Sequence, residues 1–300
     1  MITMNKRSTF YAALGTVMFL IAGALYAYSS SSPGETTIAA LSRETHFHGL
    51  AVGPADSSRI YLATHHGLYL VGTDGGAQRV SEVRDYMGFT AHPSEASILF
   101  ASGHSAGGEN LGFIVSKDGG RSWTKLSDGI GGPVDFHQMD VSKADPRVIY
   151  GVYQSLQRST DGGQTWELVG EPPADLISLA ASSIDVNTVY AATQSGLQRS
   201  TDAGRTWELR SDRPTTMVYV TRDGMVYAFM IGTGLVRATE KNLAWQVASK
   251  DFGPEYILHF AADPRDARRV YAVTYNPRTR TQSVIASRDG GERWAPLGTE

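Results

Sequence analysis

Residues 159–166 read STDGGQTW, and this stretch decides the fold because the chain repeats it. Three further copies of the pattern S-x-D-x-G-x-x-W are present, namely SKDGGRSW (116–123), STDAGRTW (200–207) and SRDGGERW (287–294). The Asp positions of the first three copies are 43 and 41 residues apart, which is the length of one four-stranded β-propeller blade. The chain is therefore predicted to be an array of blades.

Two degenerate copies fill the gaps in this array. One is GTDGGAQR around Asp74, and the other is ATEKNLAW, which ends at Trp245 and has Glu240 in place of Asp. With both counted, the sequence predicts an all-β, six-bladed propeller of four-stranded blades over residues 46–300. No strand exchange between the first and last units is evident. Either residues 36–41 (TTIAAL) add an outer strand to the last blade, or the ring closes by packing alone.

The repeated motif itself is explained by hairpin chemistry. Asp accepts hydrogen bonds from its own turn, Gly supplies a positive φ, and the Trp ring packs on the blade. The motif falls between the third and fourth strands of each blade, away from the central channel where propeller sites usually lie. A structural role is therefore expected for Asp74, Asp118, Trp123, Asp161, Trp166, Asp202, Trp207, Asp289 and Trp294.

These motifs resemble the Asp boxes of the BNR repeat proteins, a sialidase-like β-propeller family, and the resemblance covers everything after about residue 46. It implies the propeller fold. The family includes sialidases, other glycosidases and binding or assembly factors, among them photosystem assembly factors that work outside the cytoplasm. Because unrelated activities share the repeat, the resemblance implies no single function.

The overall composition excludes some classes of function. Of 300 residues 41% are hydrophobic, and the net charge is −3, which argues against a nucleic-acid-binding surface. The chain has no Cys, so it contains no disulfide and no thiolate metal site.

The N-terminus predicts export. Lys6 and Arg7 precede the uncharged segment Ser8–Tyr28, whose 21 residues are long enough to span a bilayer as a helix. Positive charge on its N-terminal side keeps that end in the cytoplasm. We therefore expect a signal-anchor helix over residues 1–28, a linker over 29–45, and a propeller outside the cytoplasm, as in an exported bacterial-type protein. The alternative is a cleaved signal peptide, since Ala27–Ser29 offers small residues at a cleavage spacing.

The candidate functional residues emerge when the blades are overlaid. His48 and His137 occupy equivalent positions in the first strands of units one and three, and Met87 has that position in unit two. His65 and His104 are equivalent at the ends of second strands. First strands begin and second strands end at the same face of a propeller. These four histidines should therefore converge at its upper mouth, without a counter-charge.

Converging neutral imidazoles are typical ligands of copper or zinc, and a nearby Met thioether favours copper. The predicted metal ligands are His48, His65, His104 and His137, with His46, His66 and Met87 close by. Two alternatives stay open. The histidines line a wet channel and bond to water or backbone carbonyls, or they act as acid, base or contact on an organic substrate. His92, in a lower turn, and His259, expected to face the blade interior, are left out of the site.

A glycoside hydrolase is the competing interpretation, and whether the chain is an enzyme at all is left open. Most glycosidases use two carboxylates, and sialidases use a Tyr nucleophile together with an arginine cluster. The sialidase Arg-Ile-Pro segment is absent before the first blade. Arg84 and Arg213 are the possible upper-face cations. The weak catalytic candidates are Asp85, Glu109, Asp135, Glu255 and Tyr256.

The sequence thus predicts a membrane-anchored binding module outside the cytoplasm. Its histidine-lined mouth would bind copper or zinc, deliver the metal, or assist the assembly of a metal-containing membrane protein complex. Under the hydrolase alternative the partner is a glycan.

Overall fold

The structure is a computed structural model that describes residues 35–53 and 56–298. The expected signal-anchor helix over residues 1–28 lies outside the described residues and stays a prediction. Within the described part, no helix is long and apolar enough to cross a membrane.

The predicted all-β architecture of six blades, each built on four antiparallel strands, is confirmed. Blade 1 contains β1 Glu35–Thr37, β2 Phe47–Val52, β3 Ile60–Thr64, β4 Gly67–Val71 and β5 Gly76–Arg79. Blade 2 contains β6 Met87–Ala91, β7 Leu99–Ser102, β8 Phe113–Ser116 and β9 Thr124–Ser127, and blade 3 contains β10 Gln138–Val141, β11 Ile149–Tyr153, β12 Ser155–Ser159 and β13 Glu167–Gly170.

The second half of the ring repeats the plan. Blade 4 contains β14 Leu176–Ala181, β15 Val189–Thr193, β16 Gly196–Ser200 and β17 Glu208–Ser211. Blade 5 contains β18 Thr215–Val220, β19 Met225–Met230, β20 Gly234–Thr239 and β21 Gln246–Ser249, and blade 6 contains β22 Tyr256–Asp263, β23 Asp266–Asn276, β24 Thr281–Ser287 and β25 Ala295–Pro296. The innermost strand of each blade lines the channel and packs against the innermost strands of the two neighbouring blades. These strands are β2, β6, β10, β14, β18 and β22.

The segment before the first blade differs from its prediction. Strand β1 pairs with β5 at the outer edge of blade 1, so the expectation of an extra outer strand on the last blade is wrong. The next residues form the helix α1, Ile38–Glu44, which begins where the Thr37 hydroxyl accepts a hydrogen bond from Ala40 N. Ile38 and Leu41 are buried in a core shared by blades 1 and 6. All four strands of blade 6 come from its own segment, so the ring closes by packing.

The Asp boxes form tight turns between third and fourth strands, as predicted. In blade 3, Asp161 Oδ1 accepts from Ser159 Oγ at 2.8 Å and from Thr165 N at 2.9 Å, while Oδ2 accepts from Thr165 Oγ1 at 2.6 Å. The hydrogen bonds from Thr165 lower the pKa of Asp161 to about 2. The carboxylate is thus occupied entirely by its own turn.

The boxes also join one blade to the next. Gly163 has φ +88°, and a Cβ added there would lie 2.1 Å from the ring of Phe113 in the preceding blade. The Trp166 ring centroid lies 5.3 Å from that of Phe113 and 4.8 Å from that of Phe136, so the Trp packs between blades. The equivalent glycines also face the third strand of the preceding blade. An added Cβ would lie 2.3 Å from Leu68 at Gly120, 2.2 Å from Leu156 at Gly204 and 2.8 Å from Leu235 at Gly291.

Candidate functional site

The upper mouth of the channel is the end where the innermost strands begin and the second strands of the blades end. A cavity of about 620 Å³ opens there, and its lining includes His46, His48, Met87 and His137. A second cavity of about 370 Å³ lies at the opposite mouth, beside His92. Of the four histidines predicted as metal ligands, His48 and His137 therefore line the cavity at the upper mouth.

Three of the four predicted ligands surround one carboxylate, that of Asp85. Its Oδ2 lies 2.6 Å from His65 Nδ1 and 3.0 Å from His104 Nε2. Its Oδ1 lies 3.6 Å from His48 Nε2, and the Asp85 side chain is only 4% exposed. The expectation that the histidines meet without a counter-charge is therefore wrong.

The backbone around Asp85 explains how the group is held. Asp85 N donates to His104 O at 3.2 Å, which ties the connection between blades 1 and 2 to the end of β7. Gly103, just before His104, has φ +113°, and a Cβ there would lie 2.2 Å from Asp85 O. Only glycine allows this close approach, because it accepts the positive φ and has no side chain.

His48 is the most deeply buried histidine of the group. Burial, reinforced by the neighbouring His65, lowers its pKa to about 3, so the ring is neutral at physiological pH. Its ring packs edge-on against that of His65, with centroids 4.1 Å apart. Within the described residues, His48 Nε2 and Asp85 Oδ1 have no hydrogen-bond partner. Two buried polar atoms thus face each other without a bond, which is uncommon in proteins.

The donor atoms are close enough to share one ion. One donor atom from each of His48, His65 and Asp85 lies within 4.8 Å of the others. In a tetrahedral zinc site with bonds of about 2.0–2.2 Å the ligand atoms lie ~3.4 Å apart, so these donor atoms would have to rearrange on binding. His104 is not part of this group, but its Nε2 lies 3.0 Å from Asp85 Oδ2 and makes it the next candidate donor.

His137 stands apart from this group. Its Nε2 lies 3.0 Å from Oδ2 of the buried Asp135, and this hydrogen bond raises the pKa of His137. The two residues form a separate pair on the cavity wall. Of the residues expected nearby, His46 is exposed with its ring centroid 5.7 Å from that of His65, and His66 is exposed on the same turn as His65.

The carboxylates proposed for a glycosidase do not face one another across the cavity. Glu109 is exposed at the tip of the hairpin after β7, and Glu255 lies 3.5 Å from the Asn276 amide. Of the candidates, only Tyr256 lines the cavity, with its ring centroid 5.4 Å from that of Tyr275. Among the described residues that line the cavity, none is Asp or Glu.

The two histidines left out of the prediction have structural bonds. His92 Nδ1 accepts from Ser94 N at 3.2 Å and from Glu95 N at 2.9 Å, as expected for a lower turn. His259 differs from its expected place, because it lines the channel and its Nε2 donates to Phe47 O at 3.1 Å.

The sequence contained a signal for Asp85 that the alignment of the repeats did not include. Asp85 and Asp135 each lie two residues before the equivalent positions Met87 and His137. The first blade has His46 at the matching place. A comparison extended by two residues before the first strand would have brought both carboxylates to the upper mouth beside the histidines.

The comparisons with known proteins agree with this fold. The family model described as BNR/Asp-box repeat matches residues 157–168. The matched segment is one of the repeated boxes, so the chain is a six-bladed β-propeller that contains Asp-box (BNR) repeats. No curated protein matches the sequence.

Several solved structures share the fold at low identity. The GH74 xyloglucanase from Xanthomonas campestris is 20% identical with a TM-score of 0.54, and the match covers 84% of this chain and 45% of that one. The GH74 enzyme from Niastella koreensis is 16% identical with a TM-score of 0.57, with the same coverages. YCF48 from Cyanidioschyzon merolae is 17% identical with a TM-score of 0.50, and 88% of each chain is covered. The chain thus spans less than half the length of these GH74 enzymes.

Proposed function

We propose that the chain is a binding module that holds one copper or zinc ion at the upper mouth through His48, His65, His104 and Asp85. The observation that carries this proposal is the buried, unbonded pair of His48 Nε2 and Asp85 Oδ1, 3.6 Å apart. A cation between these two atoms would satisfy both.

The donor set suits the proposed ion. Three imidazole nitrogens and one carboxylate oxygen are ligands that zinc and copper both accept. His48 is neutral at physiological pH, so its lone pair is available. The bonds that His65 and His104 now make to Asp85 Oδ2 would give way to bonds with the ion.

The N-terminal sequence supports a place for this module outside the cytoplasm. The uncharged segment Ser8–Tyr28 behind Lys6 and Arg7 is the pattern of a signal anchor. A tethered propeller with a metal at its mouth would deliver that metal, or assist the assembly of a metal-containing membrane protein complex.

The test is metal binding by the full chain purified in detergent. After treatment with EDTA, the chain is titrated with Zn²⁺ and with Cu²⁺ by calorimetry, and bound metal is measured after dialysis. We expect one equivalent. His48→Ala and Asp85→Asn each remove a ligand and should weaken binding by more than ~100-fold, since even loss of an outer-shell partner costs about 10–100-fold.

Two histidine variants serve as matched controls. His66→Ala removes an exposed imidazole on the same turn as His65, and His137→Ala removes the ring that pairs with Asp135. Both should bind metal like the wild type. A wild-type chain that retains no metal, or a His66→Ala variant as defective as His48→Ala, would contradict the proposal.

The glycoside hydrolase stays as the second candidate because the fold is like that of the GH74 enzymes. Its test is turnover of chromogenic glycosides by the full chain. Activity that is lost in both Asp135→Asn and Glu255→Gln, but kept in Asp85→Asn, would favour the enzyme over the metal module.

A further inference from the structure

The cavity at the upper mouth has one permanently charged group among its described lining residues, the guanidinium of Arg280. Burial lowers the pKa of two of its four imidazoles, His48 and His259, so these rings are neutral, and no described lining residue is acidic. Its volume of about 620 Å³ falls in the range of small-molecule sites, about 300–1,000 Å³. The part of the cavity around Arg280, away from the proposed metal ligand His48, therefore suits a small anion.

Arg280 provides the strongest positive group at the edge of this cavity. It lies in the turn between β23 and β24, where its backbone N donates to Asn276 O at 2.8 Å. Its φ is +59°, a conformation that glycine adopts without strain and arginine rarely does. Among the described residues, the guanidinium has no ion-pair partner. An exposed arginine is thus held at a position that favours glycine, beside a cavity.

His137 supplies a second polar side chain on the same cavity. Its Nε2 is bound to Asp135 at 3.0 Å, which fixes the ring and leaves Nδ1 available to another group. The 64% exposure of the His137 side chain shows that this edge is accessible. Arg280 of blade 6 and His137 of blade 3 belong to different blades and line one space.

The rest of the lining is largely apolar. Ile177 and Leu258 contribute aliphatic surface, and the Tyr256 and Tyr275 rings lie with centroids 5.4 Å apart. Such a surface favours a compact apolar or aromatic body over a polyhydroxylated one.

We infer that the upper mouth binds an organic carboxylate with an apolar body. The planar guanidinium of Arg280 matches the two oxygens of a carboxylate, and the exposed edge of His137 lines the same cavity. The body of the ligand lies against Tyr256 and Tyr275. The inference goes beyond the metal proposal and does not depend on it, because none of these four residues is a proposed metal ligand.

The experiment is calorimetric titration of the full chain, freed of metal with EDTA, with three probes. Benzoate has the carboxylate and the apolar body, benzamide has the same shape without the charge, and glucuronate has the charge on a polyhydroxylated body. We expect benzoate to bind at one site, and the other two probes to bind at least tenfold more weakly.

Arg280→Gly is the decisive variant, because glycine accepts a φ of +59° and the turn should keep its fold. It should weaken benzoate binding at least tenfold, and Arg280→Lys should recover part of the loss. Arg278→Ala, an exposed arginine of the same turn that does not line the cavity, is the matched control and should bind normally.

Four results would overturn the inference. These are no benzoate binding by the wild type, equal binding of benzoate and benzamide, tighter binding of glucuronate, or an Arg278→Ala variant as weak as Arg280→Gly. The metal proposal is judged separately. A chain that binds benzoate but retains no zinc would support this inference and contradict that proposal.

Discussion

His259 in the last blade donates a hydrogen bond from Nε2 to the carbonyl oxygen of Phe47, the first residue of the innermost strand of blade 1, over 3.1 Å. Gln282, also in the last blade, accepts from Phe47 N through Oε1 at 2.7 Å. Two side chains of blade 6 thus satisfy both backbone groups of one residue of blade 1. These bonds join the ends of the ring where no strand is exchanged.

The first prediction concerns Gln282. Gln282→Ala leaves the buried N–H of Phe47 without its partner, and an unsatisfied buried donor costs about 1–3 kcal/mol. In a domain of this size each kcal/mol lowers the melting midpoint by about 2–4 °C. Thermal unfolding followed by circular dichroism measures the shift. Gln78→Ala, at an exposed position of β5, is the control and should leave the midpoint unchanged.

The second prediction is a loss of stability in weak acid. Burial lowers the pKa of His259 to about 4, from an ordinary value of 6.5. Below pH 6.5 the unfolded chain takes up a proton that the folded chain refuses. Stability therefore falls as the pH drops from 6.5 to 4, by up to ~1.4 kcal/mol per pH unit for this group.

Urea unfolding at pH 7, 5.5 and 4.5 measures this slope. His259→Gln, whose amide can still donate to Phe47 O, should reduce it. Part of the slope should remain, because the pKa of His48 is lowered in the same direction. An unchanged slope in His259→Gln would mean that His259 is not buried in its neutral form.

The third prediction concerns the pair His137 and Asp135. The hydrogen bond that His137 donates to Asp135 raises the pKa of His137. The stabilising contribution of this bond is therefore fully present below pH 6.5 and is lost as the pH rises through the folded value. NMR titration of the ring protons should give a midpoint above 6.5. Asp135→Asn should lower that midpoint, and a midpoint that does not move would show that Asp135 is not the cause.

The fourth prediction compares two adjacent glycines of an Asp box. Both Gly162 and Gly163 have a positive φ, but a Cβ on Gly162 meets nothing within 4 Å, whereas a Cβ on Gly163 lies 2.1 Å from Phe113. Gly162→Ala should therefore cost only backbone strain, about 1 kcal/mol. Gly163→Ala adds overpacking of about 1–3 kcal/mol. Urea unfolding of the two variants gives the difference, and equal losses would refute inter-blade contact as its origin.

The fifth prediction links Gly103 to the proposed metal site. Gly103→Ala places a Cβ against Asp85 O and should displace the carboxylate without removing any ligand. Zinc affinity should fall at least tenfold, as for loss of an outer-shell partner. Gly108→Ala, at the tip of the same hairpin with open space around it, should bind zinc normally. Equal affinities for the two variants would show that the position of Asp85 does not govern binding.

The fold was largely predictable from the sequence because the Asp box is a local signal. Asp161 and its hydrogen-bond partners lie within a few residues of one another, so the eight residues of the Asp box determine the whole turn. The position of α1 was not predictable in this way. Its docking depends on contacts between Leu41 and strands far away in the sequence.

The candidate site was predictable only in part. Equivalent positions brought His48, His65 and His104 to one mouth, since they belong to regular strands or their ends. Asp85 lies in a connection between blades, where the repeats cannot be aligned residue by residue. The sequence therefore indicated only a possible glycosidase carboxylate at this position. The pairing of His137 with Asp135 depends on the directions of the two side chains, which the amino-acid sequence alone does not specify.

The contact between each Asp-box glycine and the third strand of the preceding blade has a direction. Blades 2, 3, 4 and 6 present this turn to the blade before them, and blades 1, 2, 3 and 5 present a Leu or Phe to the blade after them. The contacts are therefore heterologous, head to tail. A chain of such contacts has no intrinsic end. The rotation from one blade to the next makes the sixth blade meet the first. A further repeat of about 40 residues would bring its own Asp-box turn and its own third-strand side chain, so it could pack between two existing blades. The number of blades in this architecture is therefore set by the rotation angle between neighbouring blades. The contacts between blades do not themselves fix that number.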